Sequence, residues 1–471
     1  MKQEGKKLLK NSMLLIIGNF SSKILVFLLV PFYTSVLSTE EYGISDLLVT
    51  TVNLVYPILT LMISTAVLRF SLDKDGKSEQ ILSTGFWIQF VGFALLTAVS
   101  LLFFGHTSYA EYRWYFVAYY GTYMIYTLLL QYAKGMEKVK IYAFASVINT
   151  VILIGCNLLF LLKFHLGIKG YISSMIIAYG VTALIVFIAS GAWRDIISPR
   201  KIEKAIAKSM LCYSIPLMPN SISWWISNSS DRYIMNMYRT KDELGIYSVA
   251  YKIPSIMSAV TGILLNAWEI SAVEEFGTEK NRLFFSQMYK HYYKILTILY
   301  VIIMILVKPL ASILFQKDFY TAWLFVPALL FASVFNTMSA FLGTIFTAAK
   351  RTNSIFFTTM LGALTNIILN FVLIPSYGAQ GAAIATAVGY IATYIARMVE
   401  SRKIMKLEIN YTEGIIKIVL LAAMAVVTCI DTRIALAVGI IILYSERKYI
   451  IELSRMINTK IRKLISGRIH R

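Results

Sequence analysis

The sequence predicts an all-α integral membrane protein of about fourteen transmembrane helices, with two six-helix lobes followed by two further helices. Three observations predict this class. The 471 residues are 58% hydrophobic and only 15% charged, which is more apolar surface than a soluble domain carries. Apolar runs of about 20 residues, the length that crosses a bilayer core of about 30 Å, recur along the chain. Short patterns also repeat at nearly constant spacing, which indicates an internal duplication.

The apolar runs define the individual elements. The first follows four lysines and lacks a small-residue cleavage site, so it predicts a span and not a cleaved signal peptide. The last is the weakest. The runs lie near 12–36, 44–68, 81–104, 114–133, 141–163, 169–190, 209–231, 244–268, 292–315, 321–347, 354–374, 380–400, 413–430 and 433–445.

Two sequence echoes indicate the duplication. Residues 38–44 (STEEYGI) follow the first run, and residues 240–246 (TKDELGI) follow the seventh at an offset of 202. Residues 167–171 (GIKGY) match 378–382 (GAQGA) at an offset of 211. Because the echoes keep the same order at nearly the same spacing, they predict a repeat of about six helices, as in transporters built from parallel repeats.

The domain organisation follows from the repeat. Between the lobes, Ser198 and Pro199 suit a helix start, and Ile202, Ile206 and Met210 then share one face, which predicts an amphipathic linker at the membrane surface. The predicted domains are an N-terminal lobe at 1–190, a cytoplasmic linker at 191–208, a C-terminal lobe at 209–404, two extra spans at 405–445 and a basic cytoplasmic tail at 446–471.

Basic residues predict the orientation. The connections on the side of the N-terminus hold 34 Lys and Arg, and the opposite connections hold 9. This imbalance places both termini in the cytoplasm by the positive-inside rule. The net charge of +20 is therefore a topology signal and gives no reason to expect nucleic acid as a partner.

The sequence contains no motif for a metal site, a disulfide framework or a nucleotide-binding loop. The three cysteines lie in separate apolar runs, which matches neither a metal site nor a disulfide framework. No glycine-rich nucleotide loop is present, because the stretch at 76–78 lacks the earlier glycine. The sequence predicts no cofactor, no bound metal and no enzymatic reaction.

The deepest charges are positive. Lys23 lies near the middle of the first run and Lys252 about two turns into the eighth, whereas all 25 acidic residues lie in connections or within about two turns of a helix end. Charges within spans are costly and usually mark a transport path. Cations without mid-membrane carboxylates suit an anionic substrate such as a phosphate or pyrophosphate, so we expect Lys23 and Lys252 to face one cavity.

Four further residues are candidates for contact with substrate. Arg69 ends the second run, and Arg232 ends the seventh beside Asp231, which we interpret as its neutralising partner. Trp224 and Trp225 lie mid-span, where aromatic faces either stack on sugar rings or pack helices. Four asparagines are polar groups inside predicted spans, and each either faces a water-filled cavity or forms a hydrogen bond between helices: Asn220, Asn228, Asn366 and Asn370.

These motifs resemble a known family. They comprise residues 19–23 (NFSSK), 31–34 (PFYT), 41–43 (EYG), 230–233 (SDRY), 245–248 (GIYS) and the stretch from Asn366 to Pro375 with Gly378 and Gly381. In these motifs the chain resembles the Wzx-type flippases, which translocate O-antigen and capsule repeat units. Those flippases belong to the multidrug/oligosaccharidyl-lipid/polysaccharide exporter (MOP) superfamily, and the resemblance spans most of the chain.

The resemblance implies two six-helix lobes in a V with two extra helices, in the bacterial inner membrane. It implies translocation of an undecaprenyl-pyrophosphate-linked oligosaccharide from the cytoplasmic to the outer leaflet by alternating access, for O-antigen, lipopolysaccharide, capsule or exopolysaccharide assembly. Basic residues of the cavity would then receive the pyrophosphate. A polysaccharide polymerase and its chain-length machinery are the implied protein partners.

Three alternatives remain open at this stage. Lipid II flippases resemble the chain, but they carry an arginine cluster where this chain has Lys23 and Arg69. Cation-coupled multidrug exporters of the same superfamily carry mid-membrane acids that are missing from the spans predicted here. A non-transporting scaffold for glycan-assembly enzymes is the third alternative.

Overall fold

A computed structural model of the protein describes residues 25, 27–72, 78–103, 109–194, 202–277, 281–452 and 454–455. Over these ranges the chain forms α-helices joined by short turns and contains no β-strand. The helices are α1 (Val30–Val36), α2 (Thr39–Leu59), α3 (Ile63–Ser71), α4 (Ser78–Phe103), α5 (Arg113–Gly135), α6 (Val139–Asn157), α7 (Gly167–Ala189), α8 (Lys204–Ser214), α9 (Met218–Tyr238), α10 (Lys241–Ala250), α11 (Lys252–Glu275), α12 (Asn281–Ile305), α13 (Val307–Leu314), α14 (Val326–Ala348), α15 (Thr352–Ser401), α16 (Tyr411–Ile430) and α17 (Thr432–Ser445).

The all-α membrane class is confirmed. In the described ranges, eight helices are long and apolar enough to cross a membrane, or nine if α12 and α13, which meet at a 61° bend, form one span. The first predicted run lies mostly outside the described residues, and α15 contains two predicted runs. The predicted total of fourteen spans therefore remains a prediction.

The predicted second span is divided into α2 and α3. The break falls at Leu61 and Met62, both with positive φ, at 51° and 55°. Pro57 removes a backbone donor one turn earlier. Gly92 of α4 fits against the end of α2, since a Cβ there would lie 2.1 Å from the carbonyl oxygen of Leu59. Close packing at a glycine thus accompanies the kink.

The two predicted runs at 354–374 and 380–400 form an antiparallel pair within α15. Gly378 reverses the chain with φ 55° and ψ −136°, a conformation that needs glycine. The two helical arms of this hairpin approach closely. A Cβ on Gly381 would lie only 2.6 Å from the carbonyl oxygen of Leu373. Lower in the hairpin, a Cβ on Gly362 would meet Thr393.

The described chain packs as two compact units. The first contains the residues up to Val249 together with Leu314–Phe319, and the second contains Ala250–Ile313 and the residues from Tyr320 onward. The predicted domain boundaries follow the sequence repeat and stay a prediction.

The first unit buries a core that α8 helps to close. Met210 is fully buried in a cluster with residues of α3, α4, α5, α6 and α7, and Ile206 packs against it. Lys204 and Lys208 are exposed on the other side of α8. Two of the three apolar residues of the predicted linker face, Ile206 and Met210, therefore pack in the protein's own core, whereas Ile202 is exposed.

In the second unit, α14 is the most enclosed of the candidate spans, with 78% of its apolar window buried. Trp268 of α11 stacks on Phe341 of α14 at 4.9 Å between ring centroids. The indole nitrogen of Trp268 also donates to the hydroxyl of Thr344 at 2.9 Å. Aromatic packing and one buried hydrogen bond thus fix α11 against α14.

Candidate translocation site

The two copies of the first sequence echo each begin a helix. Ser38 caps α2: its hydroxyl accepts from the amide of Glu41 at 3.1 Å, and the Glu41 carboxylate accepts from the amide of Ser38 at 2.9 Å. Thr240 occupies the equivalent place before α10, where its hydroxyl accepts from the amide of Glu243 at 3.2 Å. The echo is therefore a repeated capping signal.

These two helix starts cross each other, and we call the contact between residues 38–44 and 240–246 the α2–α10 crossing. Thr39 donates to the carboxylate of Asp242, and Lys241 forms a salt bridge with Glu40 at 3.3 Å. The offset of 202 converts each of these contacts into the other. The crossing thus has approximate two-fold symmetry, as in an isologous interface.

A buried ionic network lies one to two turns further along α2. The guanidinium of Arg232 in α9 donates to the carboxylate of Asp46 at 2.6 Å and to that of Asp231 at 3.1 Å. Arg232 also donates to the carbonyl oxygen of Asn228 at 2.8 Å. Tyr247 of α10 donates to the second oxygen of Asp231 at 2.5 Å. The network therefore joins helices from both sequence halves.

The next turn of α2 is attached to α9 by neutral groups. The indole nitrogen of Trp225 donates to the carbonyl oxygen of Thr50 at 2.8 Å, and the hydroxyls of Thr51 and Tyr233 share a hydrogen bond. The rings of Trp225 and Tyr233 pack edge to face at 5.3 Å. Trp225 therefore has a packing contact, whereas its neighbour Trp224 is 54% exposed.

The structure revises the predicted position of Arg232 and Asp231. The seventh run was expected to end at residue 231, but α9 continues to Tyr238, so both residues lie inside the helix and are buried. Mutual pairing and the Asp46 carboxylate explain why the two charges can be buried, since paired charges are tolerated in an apolar setting. Asp231 does partner Arg232, as the sequence predicts, and Asp46 is a second partner.

The other predicted residues are placed as follows. Lys23 lies outside the described residues. Lys252 is the first residue of α11 and is half-buried, and Arg69 is exposed in the last turn of α3. Their contact with substrate remains a prediction.

Two of the four asparagines with alternative roles, Asn366 and Asn370, form side-chain hydrogen bonds. The side-chain amide of Asn370 donates to Asn366 at 3.0 Å, and that of Asn366 donates to the hydroxyl of Thr386 at 3.4 Å, across the α15 hairpin. Both asparagines are buried. The bond between helices therefore holds for Asn366, whereas Asn370 bonds within its own arm of the hairpin.

Sequence reasoning missed Asp46 and Arg397. Asp46 had a signal, because the capping motif at Ser38 places it in the second turn of an otherwise apolar helix. Arg397 was counted with a connection, but it is buried and donates to the carbonyl oxygen of Ser339 at 2.6 Å. It also donates to the hydroxyls of Thr359 at 2.9 Å and Thr358 at 3.3 Å. No charged sequence neighbour distinguishes it.

Solved structures define the class of this fold. A lipid II flippase, MurJ, in an inward closed conformation is similar with TM-score 0.71 and 15% identity, covering 94% of this chain and 100% of that one. A multidrug resistance MATE-family transporter is similar with TM-score 0.62 and 14% identity, covering 81% and 94%. A MOP-superfamily transporter from Pyrococcus furiosus follows with TM-score 0.60 and 15% identity, covering 84% and 94%. The fold is that of the MOP-superfamily transporters.

The family follows from sequence. The model of the polysaccharide biosynthesis protein family matches residues 8–268, and the MatE model matches residues 216–372. The first match covers more than half of the chain, so the chain belongs to the polysaccharide biosynthesis protein family. The comparison with curated protein sequences finds no match.

Proposed function

We propose that this protein is a flippase that moves an undecaprenyl-pyrophosphate-linked oligosaccharide repeat unit from the cytoplasmic to the outer leaflet by alternating access. The product serves surface polysaccharide assembly. The family membership and the transporter fold support this proposal. The reaction makes and breaks no covalent bond, so binding and conformational change carry the whole mechanism.

The α2–α10 crossing is the observation that carries the mechanism. By the predicted orientation it lies at the outer end of the helices, where an outward-open state requires separation. Two polar pairs, Thr39 with Asp242 and Lys241 with Glu40, join the helix starts there, beside one close glycine approach. Such a contact is a suitable gate, because the Lys241–Glu40 pair is partly exposed and pairs of that kind contribute only about 0–1 kcal/mol and re-form readily.

Below the crossing, the ionic network provides the rigid part of the same region. Arg232 and Asp231 are buried, Asp46 is partly exposed, and both carboxylates pair with the guanidinium, so opening the helices there would strand charges at a cost of about 3–5 kcal/mol. We infer that Arg232 holds α2 and α9 together and positions the site. Lys23 and Lys252 are then the residues proposed to bind the pyrophosphate, with Arg69 on its path and Trp224 against a sugar ring.

A reversible cross-link tests the gate. Thr39→Cys with Asp242→Cys is introduced after Cys156, Cys212 and Cys429 are replaced by serine. We expect oxidation to stop delivery of surface polysaccharide and a reductant to restore it, because the crossing can then open again. Each single cysteine variant, oxidised in the same way, is the control. Normal delivery by the fully cross-linked protein would exclude opening at this end.

Lipid II transport is the second candidate, and the coverage of the MurJ structure favours it over drug export. Expression of this protein in cells depleted of their lipid II flippase separates the two. Rescue of growth would support lipid II transport. Absence of rescue, together with loss of surface polysaccharide on deletion of the gene, would support the repeat-unit substrate. Loss of drug resistance with intact surface glycan would contradict both.

A further inference from the structure

A cavity of about 580 Å³ lies in the second unit. The third and fourth turns of α12, the end of α15 and the start of α16 line it, so we call it the α12–α16 pocket. The α15 and α16 residues lie at helix ends, and Lys290 precedes the apolar run predicted at 292–315, which places the pocket at the membrane surface and away from the middle of the bilayer. By the predicted orientation this surface is the cytoplasmic one.

The pocket carries an excess of positive charge. Lys417 is bound to Glu413 at 2.7 Å and to Glu446 at 2.5 Å, a triplet with a net charge of minus one. Lys290, Lys294 and Arg402 also line the pocket, and together with this triplet, whose Glu446 lies next to the lining, they give a net charge of plus two. Over the described ranges, the side chains of Lys290 and Arg402 form no salt bridge or hydrogen bond with the protein. Their charge is therefore available to a ligand.

Aromatic groups orient this charge. The guanidinium of Arg402 lies 4.8 Å from the centre of the Tyr411 ring, and the ammonium of Lys294 lies 5.1 Å from that of Tyr449. A guanidinium above a ring keeps its N–H groups pointing outward, in the geometry that matches phosphate. Tyr293 adds a buried hydroxyl that has no hydrogen-bond partner within the described protein. This phenol can donate to an anion oxygen in the pocket.

One side of the pocket is apolar and open. Ile395, Val399 and Ile415 line it and are 54%, 54% and 61% exposed. On spans of a membrane protein, such exposed aliphatic side chains contact acyl chains. A ligand with an anionic head and an aliphatic tail would satisfy both sides at once.

We propose that the α12–α16 pocket binds the phosphodiester headgroup of an anionic phospholipid, with an acyl chain along Ile395, Val399 and Ile415. Lys290 and Arg402 contact the phosphate oxygens, and Tyr293 donates a hydrogen bond to one of them. Basic pockets between spans on the cytoplasmic side recognise such headgroups in general. The site does not depend on the proposed flippase activity, because its lining belongs wholly to α12, α15, α16 and the turns next to them.

Lipid titration of the purified full-length protein in neutral detergent tests the proposal. Native mass spectrometry gives the dissociation constants for phosphatidylglycerol and phosphatidylcholine. We expect the wild type to prefer phosphatidylglycerol. Lys290→Gln with Arg402→Gln should weaken phosphatidylglycerol binding about 25-fold, at about fivefold for each cation, and leave phosphatidylcholine binding unchanged.

The matched control is Lys406→Gln with Lys448→Gln, which removes the same charge from exposed residues that do not line the pocket. An equal loss of phosphatidylglycerol binding in this control would overturn the proposal in favour of general surface attraction. Competition by glycerol 3-phosphate tests whether the pocket binds a soluble phosphate ester and not a lipid headgroup. If glycerol 3-phosphate displaces phosphatidylglycerol at equal concentration, the pocket binds a soluble phosphate and the lipid assignment is wrong.

Discussion

Gly43 and Gly245 face each other across the α2–α10 crossing with no room for a side chain on either. A Cβ atom on Gly43 would lie 2.9 Å from the amide nitrogen of Gly245, and one on Gly245 would lie 3.0 Å from that of Gly43. The two glycines occupy the same place in the repeated sequence pattern. The two sides of this close contact are therefore equivalent positions of the repeated pattern.

Alanine at either glycine should open the crossing. In Gly245→Ala the new methyl group would lie 1.8 Å from the carbonyl oxygen of Thr39, so the helices must separate. We expect a loss of about 1–3 kcal/mol, typical of overpacking, and slower cross-linking between cysteines at residues 39 and 242. Thermal unfolding and the cross-linking rate measure the two effects. Gly262→Ala, which adds a methyl group where nothing lies within 4 Å, should leave both unchanged.

Removal of the buried guanidinium should destabilise the first unit. Arg232→Met leaves the buried carboxylate of Asp231 and the partly exposed carboxylate of Asp46 without their cation, which costs about 3–5 kcal/mol. Arg239→Met is the control, because Arg239 is part-exposed, lies 3.8 Å from Glu243 and should lose only about 0–1 kcal/mol. Thermal unfolding in detergent compares them. Equal stability of the two variants would contradict the network's structural role.

Asp46→Asn should rescue part of that loss when combined with Arg232→Met. The neutral amide removes one of the stranded charges, so the double variant should be more stable than Arg232→Met alone. A double-mutant cycle of unfolding free energies measures the coupling, which we expect at about 0.5–3 kcal/mol. Additive effects would mean that the two side chains act independently.

The two lysines proposed to bind the substrate are tested by transport and not by stability. Lys23→Ala and Lys252→Ala should each abolish delivery of surface polysaccharide at normal protein levels, and Lys23→Arg should retain part of it, because charge matters more than shape. Lys317→Ala, at a helix end, is the control. Normal surface glycan in both alanine variants, with normal expression, would exclude a cationic binding site for pyrophosphate.

Topology is tested by labelling single cysteines in intact cells. The basic-residue imbalance predicts that a cysteine at Lys204 or Lys406 is protected from an impermeant reagent, whereas one at Lys169 or Lys317 is labelled. Permeabilised cells, in which all four positions react, provide the control. Labelling at Lys406 in intact cells would reverse the predicted orientation of the last two helices and move the α12–α16 pocket to the outer surface.

The sequence alone determined the class of fold and the starts of the two helices that carry the first echo, α2 and α10. Long apolar runs leave a membrane helix as the stable solution, because backbone groups in lipid must bond within their own segment. The capping signals at Ser38 and Thr240 likewise act over three residues, so they are readable without any tertiary contact. The neutralising role of Asp231 beside Arg232 was predicted because the two are adjacent.

Tertiary structure decided which distant residues meet. Asp46 and Arg232 are 186 positions apart, and only the packing of α2 against α9 makes one the partner of the other. Arg397 reads as a surface charge near a helix end until the α15 hairpin and α14 surround it with hydroxyl and carbonyl acceptors. Charge pairing across helices depends on distances that no local pattern encodes. The ends of α9 and the lining of the α12–α16 pocket therefore required the folded chain.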